Sequence, residues 1–369
     1  MSVKTEAIQN QSSSTVNLSL DASGNVAAGA NLTVAGSATI PTMAGNPTFS
    51  GNPTFSGTPV FSNVPSLPSS MMFRNRFING DMRVAQRGTT FTNPNGAYTL
   101  DRWYASNTNC NIAQVSYGPD KAISLNFTSA TNQGYIDQAL ESSTAKSLWG
   151  KTVTFSFYAA TSSGTATFTS AIYKNSTADT RSGGTWSLIT SQSNTITTTY
   201  TRFTMQATIP NDGTAAGILP QLGIVNGTNG MTIYISQVQL EEGNTATPFE
   251  FRPIGTELAL CQRYYYRLTA ASGLLFGYGI QQTTTTGYVY TQFPTTMRIA
   301  PTAIEQTGTA ANYGVAVSSV TACNAVPVFL DATPSGARTQ TSLASLTANL
   351  PIFLVSQSAS AYLGWSAEL

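Results

Sequence analysis

Histidine is absent from all 369 residues. That removes Ser-His-Asp and Cys-His nucleophile pairs and the usual histidine-bearing catalytic metal sites. Charge is scarce: 17 Lys and Arg against 16 Asp and Glu, 9% of the chain. Nucleic-acid binding needs a basic stripe, so no nucleic-acid partner is expected. The three cysteines, Cys110, Cys261 and Cys323, are odd in number and far apart. They fit neither a zinc site nor a disulfide framework, so reduced structural thiols are expected, with no metal and no cofactor. No run of about 18 apolar residues exists, so no membrane insertion is expected. Residues 1–6 lack the apolar core of a secretory signal. The expectation is assembly in a cytoplasm and work outside it.

What the chain does have is 41% hydrophobic residues, with its polarity supplied by Thr, Ser, Gly and Asn. This mix suits β-structure rich in turns. Residues 46–69 repeat every six positions. Pro47, Pro53, Pro59 and Pro65 fall in phase, and so do Phe49, Phe55, Phe61 and Leu67. One large apolar side chain per hexad cannot be buried by so short a segment alone; such repeats need something stacked against them. Other copies of the chain, wound round one axis with each Phe layer inside, would supply it. The alternative is a disordered Pro/Gly/Ser linker, but linkers seldom hold a large aromatic in strict register. Phe49, Phe55, Phe61 and Leu67 are therefore expected to form the core of a trimeric shaft.

Short alternations at Val16, Leu18 and Leu20 and at Leu32 and Val34 read as strands that are completed only in company. Residues 1–30 are taken as an attachment segment and 31–70 as an intertwined β-shaft. Beyond them, period-two alternation becomes regular: Ile123, Leu125 and Phe127; Val153, Phe155, Phe157 and Ala159; Phe203, Met205, Ala207 and Ile209. Met231, Ile233 and Ile235 are odd-numbered, whereas Val238 and Leu240 are even, which predicts a β-bulge near Ser236-Gln237. Residues 71–255 are expected to form a two-sheet sandwich. Leu258, Cys261 and Tyr265 share helical spacing, predicting a short helical connector over 256–267. Residues 268–369 return to β-texture as a distal domain. The fold class expected is all-β.

Two regions carry a resemblance. The first is Phe77-Ile78-Asn79-Gly80-Asp81-Met82-Arg83-Val84-Ala85-Gln86-Arg87-Gly88, followed by Tyr98-Thr99-Leu100-Asp101-Arg102-Trp103. The second is Ile235-Ser236-Gln237-Val238-Gln239-Leu240-Glu241-Glu242-Gly243, then Ala246-Thr247-Pro248-Phe249-Glu250-Phe251-Arg252-Pro253 and the run to Tyr265. They resemble the opening and close of the host-recognition domain in bacteriophage tail fibres. The stretch between them is similar to the carbohydrate-binding jelly rolls attached to glycosidases. The resemblance covers about residues 71–267. It implies homotrimers on a virion, with the N-terminus at the phage tail or baseplate and a host polysaccharide or lipopolysaccharide as the far partner. In the glycosidase-linked modules the last strand commonly carries acidic residues where this chain has Ser236 and Gln237, so no calcium or sugar site is carried over.

Sugar recognition needs flat aromatic faces beside amide and carboxylate groups. Trp103, Tyr104, Trp149, Trp186, Tyr278, Tyr288, Tyr290 and Trp365 are the aromatic pool. Trp103 reads as sandwich core, and Trp149 fits core and surface equally. Trp186, in the glycine-flanked loop 181–186, is the leading glycan contact, joined by Trp149, Tyr104, Tyr288 and Tyr290. Tyr264, Tyr265 and Tyr266 read as packing between the two globular parts. Asp101 and Arg102 read as a strand-end salt bridge or turn cap, and Glu241-Glu242 as a solvated turn. A tailspike-type depolymerase would need two facing carboxylates about 5–10 Å apart; Asp137 and Glu141 are four apart, but on a segment that alternates as strand or loop. A binding protein without catalytic residues is the expectation, and the depolymerase is its alternative.

Overall fold

The computed structural model describes residues 73–369, apart from 107, 119, 130–131, 270–272 and 344–346, together with three short strands nearer the N-terminus. Those three, β1 (Ala7–Gln9), β2 (Val16–Leu20) and β3 (Val26–Ala28), pair in the order β1-β2-β3. The expected shaft over 31–70, with Phe49, Phe55, Phe61 and Leu67, lies outside the described residues.

The sandwich strands are β4 (Thr90–Phe91), β5 (Ala97–Tyr98), β6 (Tyr104–Ser106), β7 (Asn111–Tyr117), β8 (Asp120–Asn126), β9 (Asn132–Asp137), β10 (Thr152–Thr161), β11 (Ala166–Asn175), β12 (Ser187–Ile196), β13 (Thr201–Thr208), β14 (Gly217–Gly227) and β15 (Thr232–Glu242). A first sheet runs β13-β10-β15-β8-β7-β4 and a second β12-β11-β14-β9-β6-β5. The chain alternates between the sheets instead of finishing one first, which is jelly-roll-like wiring. Between them lies one core. The first sheet contributes Ile123, Leu125, Phe155, Phe157, Ile233 and Ile235, and the second Phe168, Ile172, Leu222 and Ile224. The alternation read from the sequence is therefore the inward face of β8, β10 and β15. The phase slip is also where it was expected. Register shifts between Ser156 and Tyr158 opposite Ser236 and Gln239, and Gln237 takes φ +49°. The bulge turns Val238 and Leu240 back into the core.

A helix that the sequence reading did not anticipate, α1 (Ser142–Ser147), turns Ala145 into this core. The anticipated one, α2 (Ile254–Gln262), leaves the sandwich and hands over to β16 (Tyr265–Thr269). Then follow β17 (Leu275–Gln281), β18 (Thr286–Gln292), β19 (Glu305–Gln306), β20 (Tyr313–Ala316), β21 (Val320–Ala322), β22 (Ala325–Thr333), β23 (Gly336–Ser342), β24 (Pro351–Ser356) and β25 (Tyr362–Ser366). Seven of these form a sheet in the order β21-β20-β24-β17-β18-β23-β22, and β16-β25-β19 form a smaller one. A second core of Phe276, Val289, Tyr313, Ile352, Leu354 and Trp365 joins the two. Among the described residues, no helix is long and apolar enough to cross a membrane.

Candidate functional site

The residues that carry the resemblance are mostly buried structure. Asn79 (φ +58°), Met82 (φ +60°) and Arg102 (φ +69°) hold left-handed backbone in the turns of the motif. A Cβ on Gly80 would stand 2.2 Å from the Val238 carbonyl oxygen, so only glycine lets this turn lie against β15. Trp103 donates from Nε1 to the Asn79 carbonyl at 2.9 Å and stacks on Phe77 at 5.4 Å. It is a core residue, as the sequence suggested.

Asp101 and Arg102 do sit in a turn, but they do not pair with each other. Asp101 accepts from Gln86 N and Nε2 at 2.6 and 2.5 Å. Burial raises its pKa, with Arg87 and Gln86 pulling against that. Arg102, its side chain 2% exposed, pairs with Glu368, donates to the Ala139 carbonyl at 2.8 Å and lies 3.6 Å over the Tyr264 ring. Arg87 reaches the same carboxylate at 3.3 Å and covers the Tyr265 ring at 3.5 Å. Burial opposes the Arg102 charge, but Glu368 outweighs it and the pKa ends above its ordinary value. This buried cluster latches the sandwich to the C-terminal sheets, with Tyr264 and Tyr265 at the junction as expected. Glu241 is a correction: instead of lying in a solvated turn it is buried, accepting from Thr247 N at 2.9 Å and from Gln239 Nε2 at 2.8 Å. The segment after β15 folds back over it, which a single sequence does not display.

The outward face of the second sheet is different in character. Pairing register sets two rows across it: Tyr104, Asp137, Gln221, Ala171 and Ser191; and Ser106, Tyr135, Gly223, Thr169 and Ser193. Five strands at about 4.8 Å each give a face roughly 19 Å across. Asp137 is fully buried and accepts from Arg181 Nε and Nη2, both at 2.8 Å, and from Ser106 Oγ at 2.7 Å. Burial pushes its carboxyl pKa up, while Arg181, Ser106 and Gln221 pull it down. The Arg181 guanidinium also lies 4.4 Å over the Tyr104 ring. Beside it the Tyr135 ring sits over Gly223, where a Cβ would be 2.3 Å from ring carbon Cδ1. Burial, and then Tyr173, raise the Tyr135 pKa, so its hydroxyl remains a donor at neutral pH. A cavity of about 420 Å³ adjoins these rows, lined by Thr165, Thr167, Thr169, Val225, Asn226 and Thr228 among others.

Of the sequence candidates, this face gathers two. Tyr104 is in its first row. Trp186 donates to the Arg181 carbonyl at 3.0 Å, and its ring tip is 3.2 Å from where a Gly217 Cβ would stand. Trp149 is elsewhere, donating to the Ala215 carbonyl at 2.8 Å and packing against the sandwich core. Tyr288 and Tyr290 are on the seven-stranded sheet, in register with Ile280 and Tyr278. The reading missed Tyr135, Tyr173, Gln221 and Arg181. The odd-numbered alternation of Tyr135 and Asp137 was the available signal, and it does not show which strand they face. The two carboxylates considered for hydrolysis are both engaged: Asp137 by Arg181, and Glu141 by Arg263 at 2.9 Å and the Tyr264 hydroxyl at 2.8 Å.

No protein family model matches the chain, and no curated protein does. Among solved structures, a family 4 carbohydrate-binding module is similar at 16% identity and TM-score 0.31, covering 45% of this chain and 98% of that one. A family 61 module in complex with β-1,4-galactotriose is similar at 13% identity and TM-score 0.31, covering 46% and 99%. The enzymatically active domain of tailspike protein 4 of bacteriophage CBA120 is similar at 12% identity and TM-score 0.32, covering 46% of this chain and 22% of that one. Scores at this level carry no inference about function.

Proposed function

We propose that this chain is the subunit of a trimeric bacteriophage tail fibre that holds a host-surface glycan on the outward face of its second sandwich sheet. The observation that carries the reading is the set of half-buried aromatics on this face, Tyr104, Tyr135 and, on β11 opposite Leu219, Tyr173, beside Gln221 and the Arg181 guanidinium that the buried Asp137 holds in place. Aromatic faces take the apolar side of a sugar ring, and the fixed amide and charged groups take its hydroxyls. The sequence resemblance of the flanking motifs and the in-phase hexads support the fibre and its three-fold assembly. The N-terminus would dock to the phage tail or baseplate, and the partner at the other end would be a surface polysaccharide or lipopolysaccharide. Three weak sites on one axis convert modest affinity into firm attachment. The binding role is proposed without catalysis, because Asp137 and Glu141 are each neutralised by an arginine.

The test is binding of the full chain to host cells and to their purified surface polysaccharide. Tyr135→Ala and Gln221→Ala should each weaken binding about ten-fold, equivalent to ~1.4 kcal/mol, while Tyr290→Ala leaves it unchanged. Equal binding by all three variants would refute this site. Sustained release of reducing ends from the polysaccharide would replace the binding role with hydrolysis.

A further inference from the structure

The seven-stranded sheet has one face covered by the smaller sheet and one face bare. On the bare face, register aligns Val320, Ala316, Phe353, Tyr278 and Tyr290 in one row, with Ile280 and Tyr288 in the next. Tyr278 and Val320 are each 54% exposed, Phe353 46% and Ile280 45%. Such side chains, with the neighbouring Val328, offer on the order of 500 Å² of apolar surface, the upper end of what monomers expose. A standard interface takes about 800 Å² from each partner, so this patch would supply most of its apolar centre. Charge points the same way. Among the described residues the charged pair on this face is Arg338 and Asp331, bonded to each other at 2.8 Å, which leaves no net charge to repel an identical surface.

We propose that a second copy of this chain covers this face, so that the C-terminal sheets pack against one another independently of the N-terminal hexads. A glycan is the poorer occupant. The row is aliphatic as well as aromatic, and its charged groups already satisfy each other. The inference rests on the self-association in the reading above and not on its glycan.

The three native cysteines are buried, so a thiol placed on the surface is the reactive one. In the full-length protein, Tyr278→Cys treated with a short bismaleimide should yield covalent multimers in at least ten-fold excess over Ser163→Cys, on an exposed sandwich loop. A second variant, Phe353→Lys, should reduce the yield in a Tyr278→Cys background without disturbing the inward core. A chain that is multimeric by native mass yet gives no cross-link at position 278 would overturn this face alone. A monomeric chain would overturn the self-association altogether. Shielding of the thiol only on addition of host polysaccharide would assign the face to glycan and overturn the proposal.

Discussion

Replacing Glu368 by Gln tests the latch. The carboxylate serves two cations: the buried Arg102 side chain, 2% exposed, and the Arg87 side chain, 10% exposed. Gln keeps the shape and one acceptor oxygen but removes the charge, so Arg102 is left cationic beside a neutral amide, the Ala139 carbonyl and the Tyr264 ring face. Breaking a buried pair from one side costs about 3–5 kcal/mol, and the acceptor oxygen that Gln keeps puts the loss at the lower end of that range. A net loss of about 3 kcal/mol is expected, read as a shift of the urea midpoint at constant slope and a fall in Tm of roughly 6 °C. Adding Arg102→Met should restore part of the loss, because both charges are then gone. A loss under about 1 kcal/mol, the range of exposed ion pairs, would refute the buried-latch argument.

Gly223→Ala would put a methyl 2.3 Å from the Tyr135 ring and 2.4 Å from the Gly134 carbonyl oxygen, so it should lower Tm as well as cut glycan binding about ten-fold; unchanged affinity would show that Tyr135 takes no part. Deleting residues 46–69 should loosen the trimer to a concentration-dependent assembly held by the C-terminal sheets, read by native mass across a dilution series, and an assembly as tight as that of the full chain would free the hexads from that role. Stability should fall in alkali. Burial raises Tyr264 from 10.0, and Cys110 and Cys323 from 9.0, each to about 12. The folded state therefore keeps protons that the unfolded chain releases: the contribution is whole below pH about 9 and lost as pH rises through about 12, with Tyr264 alone on the order of 2–3 kcal/mol. Urea unfolding between pH 8 and 12 measures it, and a flat profile would refute the assignment.

Much of the first core was legible because half-buried strands write their inward face directly into the sequence. Phe155 and Phe157 read as core at once, and the bulge at Gln237 showed as a change of parity. The latch was not legible. Arg102 and Glu368 are 266 positions apart, and nothing local distinguishes a cation that meets a distant carboxylate from one that meets water. The same holds for the sandwich face: Tyr135 and Gln221 acquire meaning only once β9 is paired with β14. Glu241 misled for a related reason, since two adjacent acids before a glycine look like a solvated turn until residues 244–252 fold over them.

Arg102 and Glu368, which join the two β-layered bodies, are shut away from water, where mobile ions do not reach. Brackish or fresh surroundings would alike leave this pair closed, so the tie between the bodies holds whatever the medium outside.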